Sequence, residues 1–169
     1  MIINCKEISK IREKHKNDRI VLVKGTFDLF HIGHLNLLQK AKSLGEILVV
    51  VLKCDEAVKL KGSNRPIINE KNRAMIVDAI EYVDYCIVAN EKSSLDNNST
   101  LSGRDKIQYE RYSGIIKELK PNILIKQPNN DIPASLLKLY EECTTQIIEL
   151  ERTEGISTTK LIEKIRSEI

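Results

Sequence analysis

A short apolar run that leads directly into a glycine and then a helical pattern constrains the fold of this chain more than any other feature. Residues 20–23 are β-branched or aliphatic, Gly25 follows, and apolar residues recur at helical spacing over 35–44. This order predicts a strand, a tight turn and a helix. Because the first turn of a helix leaves backbone N–H groups without intrahelical partners, an anion site is predicted here.

Two histidines fall within the predicted turn. His31 and His34 are three residues apart, which places them on one face of the first helical turn. Each can donate a hydrogen bond to an oxygen that gains negative charge. A lone histidine is more often a core or a surface residue, but two of the chain's three histidines share this turn, which favours a functional site.

The rest of the chain alternates predicted strands and helices. An almost uninterrupted apolar stretch at 46–53 is typical of a strand buried on both faces of a parallel sheet. The predicted fold class is α/β: one Rossmann-like domain over 1–169, with an open five-stranded parallel sheet and helices on both faces. The predicted strands are 19–24, 46–53, 85–89, 122–126 and 146–150, and the predicted helices are 6–16, 35–44, 70–79, 107–119, 134–142 and 157–166. Asn69 is a predicted helix N-cap, and the helix after it is expected to turn Met75, Ile76, Ala79 and Ile80 inward.

Two connecting segments are predicted to be loops. Residues 55–69 contain Lys59, Lys61, a glycine and a proline, which indicates an ordered or closing surface loop. Its lysines either face a phosphate or are simply solvated. Residues 91–106 are rich in serine and asparagine and are predicted to form a polar loop insertion.

The composition argues against several classes of protein. At 169 residues, with 41% hydrophobic and 30% charged residues and no long apolar run, the chain is predicted to have no membrane partner. A net charge of +3 without a basic stripe predicts no nucleic-acid partner. The start of the sequence lacks signal-peptide features, so a cytoplasmic location is expected. The four cysteines form no C-x-x-C pair, which argues against a zinc or redox site.

A second candidate phosphate site lies near the end of the chain. Residues 152–160 combine Arg152, a glycine turn and three consecutive hydroxyl residues at the start of a predicted helix. Backbone and hydroxyl donors together would bind a phosphate. The same sequence pattern also arises from an ordinary serine or threonine N-cap that happens to follow an arginine. Because the stretch follows the fifth predicted strand, it is expected at the same sheet edge as the Gly25 turn.

Three stretches resemble known nucleotidyltransferases. Residues 25–34 resemble the His-x-Gly-His motif of cytidylyltransferase-like nucleotidyltransferases. Residues 152–159 are similar to the late motif of CTP-using enzymes such as glycerol-3-phosphate and phosphoethanolamine cytidylyltransferases. Residues 60–67 resemble a loop of heptose-1-phosphate adenylyltransferases. One departure is at 126–131, where these families usually carry a Gly-Gly-Asp or Gly-Asp-Asp segment. Either Asp131 is the usual acidic residue, displaced by an insertion, or the usual acidic residue is absent.

The resemblance implies roles for specific residues and a homodimer. The implied catalytic residues are His31, His34, Lys61 and Arg152. The implied nucleotide or phosphate contacts come from Gly25, Thr26, Phe27, Asp28, Lys59, Arg73, Thr153, Gly155, Ile156, Ser157, Thr158 and Thr159. Asp28 is expected either to hold the turn or to orient a magnesium ion.

The predicted reaction is transfer of CMP from CTP to a small phosphorylated or phosphonate acceptor, such as glycerol 3-phosphate, with release of pyrophosphate. The 60–67 loop favours an alternative, transfer of AMP from ATP to a heptose-type sugar 1-phosphate. A third possibility, suggested by the 126–131 departure, is a non-catalytic nucleotide-binding module. Mg²⁺ is expected as a cofactor because it bridges phosphate oxygens with few protein ligands, and no set of metal-ligating residues is predicted.

Overall fold

The computed structural model describes residues 1–60, 62, 64–90, 103–128, 131–143 and 145–168, with 103–105 as backbone only. Strands and helices alternate along the chain as the hydrophobic pattern predicts. The elements are β1 Ile2–Ile3, α1 Ile8–Lys14, β2 Ile20–Gly25, α2 Ile32–Lys42, β3 Ile47–Lys53, α3 Asp55–Lys59, α4 Glu70–Asp78, β4 Tyr85–Ala89, α5 Gly103–Leu119, β5 Ile123–Lys126, α6 Ala134–Glu142, β6 Gln146–Glu149 and α7 Thr158–Ser167.

The strands form one parallel sheet in the order β1-β4-β3-β2-β5-β6. The α/β class is confirmed, but the described sheet has six strands instead of the predicted five. The additional strand is β1, in which Ile2 pairs with Cys86 and Ile3 with Ile87. A two-residue strand has no hydrophobic period, so only its pairing with β4 reveals it.

Alternating side chains of the central strands supply two hydrophobic cores. On β2, Ile20 and Leu22 face one side of the sheet, whereas Val21 and Val23 face the other. Helices α1, α5 and α6 cover the first side, and α2 and α4 cover the second. All six residues from Ile47 to Leu52 on β3 are buried, which confirms the prediction of a strand covered on both faces.

Three local predictions need correction. Helix α4 is capped by Asn69 as predicted, but the residues that it buries are Arg73, Ala74 and Val77. Of the four residues predicted to face inward, Ile80 packs against the core, whereas Met75, Ile76 and Ala79 are exposed, Met75 by 58%. The segment predicted as a loop over 55–69 begins with α3. Helix α5 starts at Gly103 instead of about residue 107. The hydrophobic pattern did not predict this start, because the first turn of the helix is polar. The remainder of the predicted 91–106 insertion, residues 91–102, lies outside the described residues.

The strand order places a ligand crevice at the centre of the sheet. The chain passes from β2 outward through β3 to β4 and later returns to β5 on the other side of β2. Ligands in open α/β sheets bind at such a reversal, beyond the carboxyl ends of the strands. Among the described residues, no helix combines the length and apolarity that crossing a bilayer requires.

Candidate active site

The turn after β2 has an unusual backbone conformation. Phe27 and Leu29 both have positive φ angles, 53° and 44°, which is a strained region for residues other than glycine. Packing helps to hold the turn, because the buried Phe27 ring lies against Phe30 and His34 with ring centroids 6.4 and 5.1 Å away. A Cβ atom at Gly25 would overlap the Phe27 ring, so this close approach requires glycine.

The two histidines cap the helix that follows. The Gly33 backbone N–H donates to His31 Nδ1 at 3.1 Å, and the His31 backbone N–H donates to His34 Nδ1 at 3.4 Å. Both side chains therefore satisfy N–H groups of the first turn, as a capping box does. The two rings stack with centroids 3.8 Å apart.

This capping arrangement assigns the protons of both imidazoles. Because Nδ1 of each ring accepts a hydrogen bond, the neutral ring carries its proton on Nε2, which remains available as a donor. Burial lowers the pKa of His31. Burial and the neighbouring His31 together lower the pKa of His34 to about 4, although Asp28 opposes the shift. Both rings are therefore neutral hydrogen-bond donors at pH 7.

The second motif lies beside the first and is hydrogen-bonded to it. Ser157 caps α7 by accepting the Lys160 backbone N–H at 3.2 Å. The Thr158 hydroxyl donates to the Asp28 backbone carbonyl at 2.9 Å. Arg152 donates to the Pro128 carbonyl at 3.1 Å, beside the end of β5. The two stretches predicted to hold phosphate thus meet at one sheet edge.

A cavity of about 280 Å³ joins the two motifs. Eleven of the predicted site residues line it: Gly25, Thr26, Phe27, His31, His34, Arg152, Thr153, Ile156, Ser157, Thr158 and Thr159. The described lining includes four basic side chains, Lys24, Lys53, Lys126 and Arg152, and one carboxylate, Asp131. This excess of positive charge suits a polyanionic ligand.

Four other predicted residues do not line the cavity. Lys59 is exposed at the end of α3, and Gly155 forms the turn before α7 with a φ of 78°. Asp28 and Arg73 are buried beneath the turn. Lys61, a predicted catalytic residue, lies outside the described residues.

Asp28 ties the segment after Gly62 to the histidine turn. Its side chain is 2% exposed, and its two carboxylate oxygens accept the backbone N–H groups of Ile67 and Ile68, each at 2.9 Å. It also accepts the Leu29 N–H at 3.1 Å, and the Arg65 guanidinium lies 3.9 Å away. These contacts support the first of the two predicted roles for Asp28, which is to hold the turn.

Arg73 braces the same region from within α4. It is 0% exposed, and its guanidinium donates to the carbonyls of Ile68 and Lys53 at 2.9 and 2.8 Å and to the Thr26 carbonyl. It also forms an ion pair with Asp55 at 2.7 Å. Because Arg73 has no exposed surface, it does not contact a ligand in the cavity directly. It stabilises the loops around the cavity instead.

Several residues that line the cavity were not among the predicted site residues. Lys24, Lys53 and Lys126 are each at or next to the last position of an apolar strand, so a lysine that ends a buried run was the available signal. Gln108 and Tyr112 reach the cavity from α5. No local pattern marks them, because only the packing of α5 against the sheet brings them there.

The described residues contain no group of three or more histidine, cysteine or acidic side chains that could hold a metal ion. Asp131 is the carboxylate that lines the described cavity. This donor set fits a magnesium ion bound mainly by phosphate oxygens and water, because Mg²⁺ needs only one or two carboxylates from the protein.

A strand-to-helix turn with neutral imidazole donors, beside a basic cavity at the reversal of a parallel sheet, defines an α/β domain whose cavity suits a phosphate-bearing ligand. The chain belongs to the cytidylyltransferase-like family, whose sequence model matches residues 22–164. Its curated relatives include two proteins named "Bifunctional protein HldE". The one from Helicobacter pylori strain HPAG1 is 38% identical over 157 residues, which are 90% of this chain and 29% of the relative. The one from Citrifermentans bemidjiense is 35% identical over 158 residues, 92% of this chain and 29% of the relative. The chain thus spans about three tenths of the length of these relatives.

A solved structure shares the fold. The pantoate-beta-alanine ligase of Francisella tularensis, described as complexed with beta-gamma ATP and beta-alanine, superposes with a TM-score of 0.61 at 19% identity. The match covers 100% of this chain and 78% of the ligase. At this identity the likeness shows the fold alone, an open α/β sheet of the Rossmann-like type.

Proposed function

We propose that this protein transfers AMP from ATP to a sugar 1-phosphate of the heptose type and releases pyrophosphate. The family provides the reaction class, nucleotidyl transfer. The HldE relatives, together with the 60–67 loop, support the adenylyltransferase alternative over CMP transfer to glycerol 3-phosphate. The observation that carries the proposal is the pair of neutral imidazoles, His31 and His34, in a basic cavity.

The reaction requires positioning more than it requires a base. The phosphate of the acceptor is already ionised near neutral pH, so one of its oxygens can attack the α-phosphorus of the nucleotide directly. A new P–O bond forms as the bond between the α-phosphorus and the bridging oxygen breaks, and pyrophosphate leaves with the electron pair. No covalent enzyme intermediate is needed.

The residues of the cavity stabilise the charge that develops on the phosphate oxygens. We assign His31 Nε2–H and His34 Nε2–H as donors to the α- and β-phosphates, because Nδ1 of each ring is occupied by the backbone. Arg152 and the residues at the start of α7, Ser157 and Thr159, hold the remaining phosphates. Lys61 keeps its predicted role in neutralising the triphosphate or the acceptor.

Mg²⁺ is the proposed cofactor, held mainly by the phosphates with Asp131 as a carboxylate within reach of the cavity. When bound, it neutralises charge on the phosphate oxygens. A cytoplasmic location and a homodimer remain predictions.

A second candidate function is transfer of CMP from CTP to a small phosphorylated acceptor. The specific observation in its favour is that residues 152–159, which resemble the late motif of CTP-using enzymes, contribute Arg152, Thr153 and Ile156 to the lining of the cavity. The two candidate functions use the same hydrogen-bond donors to the phosphates. They differ in the nucleobase of the triphosphate and in the acceptor.

Pyrophosphate release tests both candidates. The purified protein is incubated with Mg²⁺, one of the four nucleoside triphosphates, and glycerol 3-phosphate, phosphoethanolamine, a phosphonate or heptose 1-phosphate. Release that requires both ATP and heptose 1-phosphate is expected. Release with CTP and another acceptor would move the protein to the second candidate. Nucleotide binding without release for any pair would contradict both and favour the non-catalytic module.

A further inference from the structure

Lys24 is a basic residue in the cavity that the proposed chemistry does not yet use. It is the penultimate residue of β2, next to the Gly25 turn. Its Nζ atom lies 4.8 Å from the centre of the Tyr112 ring and 5.2 Å from that of Tyr140. Within the part of the chain that the structure describes, no carboxylate forms an ion pair with this ammonium group.

The other cationic groups near Lys24 differ from it in their partners. Lys126, at the end of β5, forms an ion pair with Glu149 at 2.7 Å. Arg152 donates to a backbone carbonyl. Lys24 instead lies beside two aromatic rings, whose faces attract an ammonium group but carry no net negative charge. The cost of burying its positive charge is therefore offset in full only when an anion accompanies it.

The electrostatics of this position can be assigned to named groups. Burial, and then the positive charge of Lys53 on the neighbouring strand, lower the pKa of Lys24 to about 7. Burial raises the pKa of Tyr112 on α5 and of Tyr140 on α6, so both phenols are neutral and provide no counter-charge. Asp131 lines the same cavity but forms no ion pair with Lys24 among the described residues.

We propose that Lys24 binds the phosphate of the acceptor in this cavity, and so restricts the acceptor to phosphate monoesters and phosphonates. The identification of the anion as the acceptor rests on the proposed function, whereas the anion site itself rests only on the geometry of Lys24. A dianionic phosphate supplies the negative charge that the described protein groups do not provide to Lys24. Hydrogen bonds between an ammonium group and a phosphate are among the stronger hydrogen bonds in proteins.

Binding of the anion also couples to a proton. An anion beside the ammonium group favours its charged form, so the pKa of Lys24 rises on binding. Above pH 7 the free protein must therefore take up a proton when it binds the acceptor, and acceptor affinity falls as the pH rises.

A binding experiment tests the site without any turnover. The full chain is labelled with ¹³C at the lysine ε-carbons, and every lysine is titrated by NMR with and without sulfate, a dianion that does not itself titrate near neutral pH. One resonance is expected to titrate near pH 7, to be absent from Lys24→Met and to remain in Lys138→Met, which removes an exposed lysine of α6. Sulfate should raise its midpoint by about one pH unit. A midpoint that sulfate does not move would overturn the proposal.

A kinetic experiment separates this inference from the proposed function. In Lys24→Met, the KM for the acceptor should rise about ten- to hundredfold while the KM for the nucleotide stays within about twofold, and Lys24→Arg should restore most of the acceptor affinity. An unchanged acceptor KM in Lys24→Met would overturn the role of Lys24 and leave the reaction intact. If the wild type shows no transfer but its Lys24 resonance responds to sulfate, the proposed reaction would be wrong and the anion site would stand.

Discussion

The Thr158 hydroxyl donates a hydrogen bond to the backbone carbonyl of Asp28 at 2.9 Å and thereby joins two motifs that are 130 residues apart in the sequence. Asp28 uses its carboxylate at the same time to hold the backbone of Ile67 and Ile68. One residue therefore links the turn after β2, the start of α7 and the segment before α4. Both the stability and the turnover of the protein should depend on this arrangement and on the histidines beside it.

Replacement of His34 by alanine should lower kcat by about two orders of magnitude or more, because it removes a donor to the transition state. The helical CD spectrum should be retained, since α2 keeps the His31 cap. His15→Ala is the matched control, because His15 contacts Asp18 and Tyr85 at the amino ends of the strands, away from the cavity. The control should lower Tm and leave kcat unchanged. Wild-type turnover by folded His34→Ala would contradict the assigned role.

The low pKa of His34 makes folding stability depend on pH. Its pKa is about 4 in the folded protein and 6.5 in the reference state, so the unfolded chain binds more protons between these values. The free energy of unfolding should therefore be fully retained above pH 6.5 and fall as the pH drops towards 4, with His34 contributing on the order of 2 to 3 kcal/mol.

Urea denaturation at several pH values measures this contribution of His34. The control variant is His34→Gln, because a glutamine at this helix position can still accept the His31 backbone N–H but does not titrate. Its stability should vary less between pH 6.5 and pH 4 than that of the wild type. Identical pH profiles would show that His34 is not the group responsible.

Asp28→Asn should destabilise the protein by about 2 kcal/mol or more. The asparagine side chain keeps one acceptor oxygen and replaces the other with an NH₂ group. That group faces a backbone N–H, so one of the two N–H groups that Asp28 binds in the wild type loses its acceptor. Urea denaturation gives the change in the free energy of unfolding. Asp18→Asn serves as the control and should have a smaller effect, because Asp18 is 39% exposed in its pair with His15. Equal effects of the two variants would argue against the anchoring role of Asp28.

Arg73→Met should lower the free energy of unfolding by about 3 kcal/mol or more, because it leaves buried carbonyls and the Asp55 carboxylate without their donor. Thermal denaturation compares it with Arg166→Met, an exposed residue of α7 whose replacement should change Tm little. In the fraction that folds, nucleotide affinity should match that of the wild type. A large loss of affinity with an unchanged Tm would instead support the contact implied by the family resemblance.

Much of the fold and part of the site follow from the sequence alone. Apolar runs and helical spacing predicted β2, α2 and β3, and Asn69 was recognised as a cap because its partner is three residues away. The turn residues His31 and His34 were placed at the start of a helix by the same kind of local evidence. Hydrophobic period, turns and caps depend on neighbours within about one helical turn, so they can be read along the chain.

The tertiary structure decided the features that depend on distant neighbours. The two-residue β1 exists only because β4 pairs with it, and Arg73 is internal because loops after β2 and β3 surround it. Lys24 became a cavity residue because Tyr112 and Tyr140 pack over the end of its strand. Burial and local charge set the chemistry of a side chain, and both are properties of the packed elements that no stretch of sequence contains by itself.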